Sequence, residues 1–378
     1  MKFGKLKELS FIGSADIIGT GITSIFWFFL ASQISPEKYG EIFYYIGIAA
    51  TAGAFTLIGA QNTITVYSSK NIKIESTLYF LSLILGVITS FILIMIFYQI
   101  DIIFLLFAYV INTLAIGELL GTQSFLSYFK HTLIQKILTL VAGILSFVIF
   151  GVDGIIFALA ISYASFIVVI YNRFKQTKIN FSLLKGRAKF IINNYVIEVL
   201  TKSNSNLNKL IAVPLLGFGV LGNFSLAAQV VNVGLIFTVI IFKYTIPYDA
   251  LGENNKKLKF FSLLISIVMA FLGALVAPSI IPRFFPEYNE VADVIRIISF
   301  SIIPMTLTKI YSSKLLGDEN SQRILYSKVI SMITFVVAMI ILSSDYGIIG
   351  LALSYLLSTV IETVCLIPQI KVYKNKNI

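Results

Sequence analysis

Arg173-Phe-Lys-Gln-Thr-Lys-Ile-Asn-Phe-Ser-Leu-Leu-Lys-Gly-Arg-Ala-Lys189 is the longest hydrophilic stretch in a chain of 378 residues that is otherwise 57% hydrophobic and only 12% charged. Its six cations have no acid among them, and about six apolar segments lie on each side of it. The other cations keep the same rhythm. Lys2, Lys5 and Lys7 precede the first segment, Lys70 and Lys73 follow the second, and Lys130 follows the fourth. Lys256, Lys257 and Lys259 follow the eighth, Lys314 and Arg323 the tenth, and Lys371, Lys374 and Lys376 the last. The gaps between these hold only Lys38 and Arg283. Short cytoplasmic loops of membrane proteins retain Lys and Arg, so the alternation predicts a multi-pass protein of the cell (plasma or inner) membrane with both termini cytoplasmic.

A mean hydropathy of +0.91 fits that reading. A span needs about 20 apolar residues, so the chain has room for about twelve spans and little else. The expected fold is all-α and polytopic, in two six-helix lobes, 1–180 and 181–378. The spans fall at about 10–33, 41–66, 76–98, 102–125, 133–151 and 154–172, then at about 190–216, 221–247, 258–282, 289–314, 323–343 and 347–369. Ser10 to Ser32 is long enough to span and reads as the first helix rather than a cleaved signal. The net charge of +11 is explained by loop cations, not by nucleic acid. Cys365 is the only cysteine and His131 the only histidine, which removes intrachain disulfides, cysteine or histidine metal sites and most catalytic triads. Phosphate-loop and dinucleotide signatures are absent. No enzyme activity, metal or organic cofactor is expected.

The halves resemble each other. Leu133-Ile-Gln-Lys136 pairs with Leu325-Tyr-Ser-Lys328, and Gly154-Ile-Ile-Phe-Ala-Leu-Ala-Ile-Ser-Tyr163 with Gly347-Ile-Ile-Gly-Leu-Ala-Leu-Ser-Tyr355. Leu119-Leu-Gly121 recurs as Leu315-Leu-Gly317. Gly40 matches Gly222, and the same shift places Asp16 on Glu198. Six spans per half keep both repeats in one orientation, an arrangement used by transporters.

Three motifs carry a family resemblance. Leu30-Ala-Ser-Gln-Ile-Ser-Pro-Glu-Lys-Tyr-Gly-Glu41 resembles the turn after the first helix of polysaccharide-export flippases, a branch of the multidrug/oligosaccharidyl-lipid/polysaccharide exporter superfamily. Pro278 to Ala292 resembles their Pro-rich outer turn with its Tyr, and Asp345-Tyr-Gly-Ile-Ile-Gly350 the start of their twelfth helix. The usual Phe-Gly of the outer turn is replaced by Arg283-Phe-Phe-Pro286, and no thirteenth or fourteenth helix is visible, unlike the peptidoglycan-precursor branch. The resemblance covers essentially the whole chain. It implies alternating access and flipping of a polyprenyl-(di)phosphate-linked oligosaccharide to the outer leaflet. Beside it stand the expectations of H⁺ or Na⁺ as coupling ion, membrane lipids as partners, a functional link to glycosyltransferases, and action as a monomer.

Ionisable residues inside a membrane are functional candidates by default, because burying a charge in hydrocarbon is costly. Asn194, Glu198, Lys202, Ser205 and Lys209 recur at helical spacing along the seventh span, with Asn204, Asn206 and Asn208 beside them. This face reads either as a cationic lining for a diphosphate or acidic sugar, or as a Glu198–Lys202 pair holding helices together. Lys202, Lys209, Asn206, Lys309 and Lys243 are the substrate-binding candidates. Asp16, Glu198, Glu118 and Glu362 are candidates for ion coupling or counter-charge. Asp293 and Arg296 read as a structural pair, and Pro214 and Pro304 as bends. Two alternatives stay open: a cation-coupled exporter of multiple drugs or organic cations, and a membrane-embedded glycan-assembly enzyme. The excess of Lys in the seventh span favours anions.

Overall fold

The computed structural model describes the backbone of residues 3–250, 256–317 and 321–367, and every regular element among them is helical. The chain packs as two compact units, Met1–Phe26 with Tyr44–Asn206, and Trp27–Phe43 with Leu207–Ile378.

The first unit takes most of α1 (Phe3–Ala31) and of α2 (Pro36–Thr56), then α3 (Ala60–Ser69), α4 (Glu75–Phe97), α5 (Asp101–Gly121), α6 (Phe125–Phe150), α7 (Ile155–Ser162) and α8 (Ser165–Gln176), and α9 (Ala188–Leu216) as far as Asn206. α4 shows why these segments are helices. Its 23 residues rise about 34 Å, enough to cross hydrocarbon, and in lipid every backbone N–H and C=O must be satisfied within the segment. Phe91, Ile92 and Met95 face outward from it, as lipid-facing side chains do. Leu57, Ile64, Leu78, Tyr79, Leu114 and Phe166 form the interior, drawn from α3, α4, α5 and α8 and the turn before α3. α2 and α3 make one span bent by 50°. The bend sits at Ile58 and Gly59, both at positive φ, and not at a proline.

The second unit adds α10 (Phe218–Ala250), α11 (Lys256–Leu275), α12 (Ala277–Phe284), α13 (Val291–Ile298), α14 (Ile302–Gly317) and α15 (Ser321–Leu366). α11 buries Ser262, Ser266, Ala270 and Ala274, a four-residue stripe of small side chains that lets neighbouring helices approach closely. α13 and α14 are one span joined by a short 3₁₀ turn, and α15 is two spans broken at Gly347. With α2–α3 and α7–α8 counted as single spans, and α12 at 8 residues too short to cross on its own, the described elements give the twelve expected. Pro304 occupies the first turn of α14, where a missing N–H costs nothing, and Pro214 the last turn of α9.

Several features recur at fixed shifts along the chain, and in the later helices the shift differs from the sequence match. Gly151 (φ 66°, ψ −148°) and Gly347 (φ 52°, ψ −126°) break the chain in the same glycine-only conformation. They are 196 residues apart (347 − 151). The same shift relates two polar links between neighbouring helices. Gln135 Nε2 donates to Ser162 Oγ at 3.3 Å, and Ser331 Oγ donates to the Ser358 carbonyl at 2.9 Å. The sequence match placed Lys136 on Lys328 and Gly154 on Gly347, shifts of 192 and 193. A slip of about one helical turn keeps the same apolar face in place, so matching Ile, Leu and Gly could not detect it. Earlier in the chain the expected register holds. A Cβ on Gly40 would collide with Phe218 and Gly222, and one on Gly222 would collide with Pro36. The contact is reciprocal at a shift of 182 (222 − 40 and 218 − 36).

Candidate functional site

α9 is a membrane-length helix that carries a polar face. Asn194 Nδ2 donates to the Phe190 carbonyl at 2.9 Å, and Asn206 Nδ2 to the Lys202 carbonyl at 2.9 Å. Both bonds stay within the helix and use up amide donors that lipid could not satisfy. Glu198 is only 8% exposed and feels the charge of Lys202, yet its Oε1 accepts no hydrogen bond. Lys202 is exposed, and Asn206 is buried. Lys209, half-buried, holds its Nζ 5.7 Å from the centre of the Phe43 ring within the second unit.

A second set of cations lies elsewhere in the second unit. Lys309 on α14 is exposed, and its Nζ sits 4.9 Å from the centre of the Phe242 ring. Such placement stabilises an ammonium by about 0.5–2 kcal/mol. Glu362 and Lys328, both on α15, are the charged groups that act on it. Thr308 and Thr363 bond at 2.8 Å, and Thr363 also bonds the Pro304 carbonyl at 2.8 Å, which fixes α14 against α15 beside Lys309. The side chains of Asp16 and Lys243 lie outside the described residues.

Glu118 is held by partners that the sequence reading missed. Arg173 bridges it to Glu75, with Nε 2.9 Å from Glu118 Oε1 and a terminal nitrogen 2.8 Å from Glu75 Oε1. Ser68 donates to Glu75 at 2.6 Å, and Tyr79 donates to Glu118 at 3.4 Å. Arg173 had been read only as a loop cation. One signal was available: Glu75 opens a long apolar helix and is followed by no charge for more than twenty residues.

The first two family-like motifs prove to be one contact inside the second unit. Tyr288, between α12 and α13, donates its hydroxyl to the Ile34 carbonyl at 3.1 Å and packs edge-on to Tyr39, ring centres 5.8 Å apart. Phe285 meets Phe28 at 6.0 Å, and Trp27 packs on both Tyr39 and Phe43. Tyr39 and Tyr288 are buried. Burial raises the Tyr288 hydroxyl well above its ordinary range, and the nearby Glu287 and Glu37 push it further. It therefore stays a neutral donor. The Asp293–Arg296 pair closes at 2.7 Å with both side chains more than half exposed, a weak surface bridge as expected.

No family model and no curated protein sequence matches the chain. Solved structures do. A multidrug resistance MATE family transporter of the MOP superfamily, in an inward-facing conformation, is similar over 96% of each chain, with a TM-score of 0.70 and 14% identity. The lipid II flippase MurJ, in an inward closed conformation, is similar over 94% of this chain and 87% of its own, with a TM-score of 0.71 and 15% identity. A MOP superfamily transporter from Pyrococcus furiosus, described as having a binding pocket of reverse polarity, is similar over 97% of this chain and 95% of its own, with a TM-score of 0.65 and 13% identity. The chain therefore has the fold of MOP superfamily transporters, a multi-pass membrane fold. Multidrug and lipid-flipping members are matched alike.

Proposed function

We propose that this protein flips a polyprenyl-(di)phosphate-linked oligosaccharide between leaflets by alternating access, coupled to H⁺ or Na⁺. In this reading the repeats 1–180 and 181–378 are the halves that alternate, and the protein is a carrier, not an enzyme. The carrying observation is the placement of Lys209 and Lys309, each ammonium held over an aromatic ring within the second unit. Around Lys309 two lysines face one carboxylate, an excess that suits an anion. Diphosphate oxygens cannot leave water for hydrocarbon without replacement donors, and Lys is a mobile point charge suited to a moving anion. The exposed Lys202, on the polar face of α9, would add a further station.

The test is flipping of a fluorescent polyprenyl-diphosphate disaccharide in proteoliposomes, read by an impermeant quencher. Lys209→Ala/Lys309→Ala should lower the initial rate at least about tenfold, a loss of about 1.4 kcal/mol in the barrier-lowering. Lys202→Ala should also slow it, and Lys202→Arg should retain part of the rate. Full flipping by the double variant would overturn the proposal. Transport of an organic cation that depends on Glu198, with no flipping of the disaccharide, would favour the exporter reading instead.

A further inference from the structure

We propose that Glu75 and Glu118, bridged by Arg173, form a binding site for one proton in the first unit. Four helix ends build it. Ser68 lies in the last turn of α3, Glu75 opens α4 with Tyr79 one turn further on, Glu118 is in the last turn of α5, and Arg173 is in α8. The ends of α3 and α4 flank Lys70 and Lys73, the end of α8 leads into the basic stretch that reaches Lys189, and the end of α5 leads into the short turn Thr122–Ser124.

The argument is a count of charges and donors. The titratable and charged groups facing one another here are Glu75, Glu118, Arg173 and Tyr79. Two carboxylates meet one guanidinium, so the ionised cluster carries one uncompensated negative charge. The Glu75 side chain is 0% exposed and that of Glu118 6%. An uncompensated buried ion costs several kcal/mol even after relaxation, and binding a proton removes that cost. The donors agree with the count. Glu75 Oε1 receives both Arg173 and Ser68, whereas Glu75 Oε2 is buried and has no hydrogen-bond partner. Arg173 Nε lies 2.9 Å from Glu118 Oε1 without a hydrogen bond, so neither carboxylate is fully paired, and the proton belongs to the coupled pair rather than to either residue. Arg173, 21% exposed, connects the cluster to water. Uptake converts one carboxylate to a carboxylic acid and takes the cluster from −1 to neutral, with the proton supplied by that water. The site would provide the proton coupling named under the proposed function, but its existence rests on the first unit alone and is measured without substrate.

The experiment is infrared difference spectroscopy of the full-length protein in lipid nanodiscs between acid and alkaline buffer, in ordinary and deuterated water. The wild type should show a protonated-carboxyl band that Glu75→Gln removes and Glu118→Gln removes equally. In either variant one carboxylate and Arg173 remain, a balanced pair that stays ionised. Glu75→Gln/Glu118→Gln should remove no more than either single change. Arg173→Gln should add a second carboxyl band. Thermal unfolding in the same nanodiscs establishes that each variant is folded. If one glutamine variant does not insert, the other carries the test, since each alone must abolish the band. Bands that persist in both single variants, or losses that add in the double variant, would overturn the proposal. So would suppression of the wild-type band by sodium at fixed pH, which would make the cluster a metal-ion site. Loss of the band in the glutamine variants with flipping unimpaired would count against the transport reading of this cluster and leave proton binding standing.

Discussion

Tyr288→Phe isolates one bond. The substitution keeps the ring that packs on Tyr39 and Phe285 and deletes only the hydroxyl that donates to Ile34 at 3.1 Å. Ile34 is buried, so its carbonyl is left without a partner, at a cost of about 1–3 kcal/mol. At about 2.1 cal/mol/K per residue, unfolding 378 residues carries an entropy of about 0.8 kcal/mol/K, so the melting temperature should fall by about 1–4 °C. The pH dependence supplies an independent sign. The folded hydroxyl is raised above its ordinary value, while in the unfolded chain it ionises near about 10. Its contribution is therefore complete below that pH and is lost as pH climbs from there towards the folded value, by about 1.4 kcal/mol per pH unit. The difference between wild type and Tyr288→Phe should be flat at neutral pH and shrink in alkali. Tyr39→Phe is the control. The Tyr39 hydroxyl reaches the Trp27 carbonyl at 3.4 Å, a long bond, and its loss should cost less. Thermal melts of the purified protein in nanodiscs across an alkaline series measure all three. A Tyr288→Phe protein as stable as wild type, or a difference that grows in alkali, would refute the assignment of this bond.

Gly40→Val should destabilise the protein by about 1–3 kcal/mol or more, because the new side chain meets the backbone at Phe218 and Gly222 and no rotamer can relieve it; a melt within error of wild type would refute the close contact. Gly222→Val should match it, since its collision with Pro36 is the reciprocal one. Reporter fusions at Lys185 and near Glu287 should report opposite sides of the membrane, with Lys185 cytoplasmic; the same side for both would refute the topology.

The sequence alone determined the class and the span count. Lipid admits only segments that satisfy their own backbone, so hydrophobic length and alternate loop cations fix an all-helical, twelve-span chain without knowledge of packing. It also paired Gly40 with Gly222 by their place near the start of corresponding helices, and the reciprocal close contact agrees with that pairing. Tertiary structure decided what composition could not register. The repeat in the later helices is one turn away from the best sequence match, since a turn's slip preserves the apolar face. The second span bends at Ile58–Gly59 and not at a proline, because two consecutive residues at positive φ leave no mark in hydropathy. Glu75, Glu118 and Arg173 are 43 and 55 residues apart in turn (118 − 75 and 173 − 118) and gather only when the ends of α4, α5 and α8 converge. From the sequence, Arg173 is one more cation in a basic loop. Within the fold it is the counter-charge to two buried acids, because burial and distance, not residue type, set what a charge does.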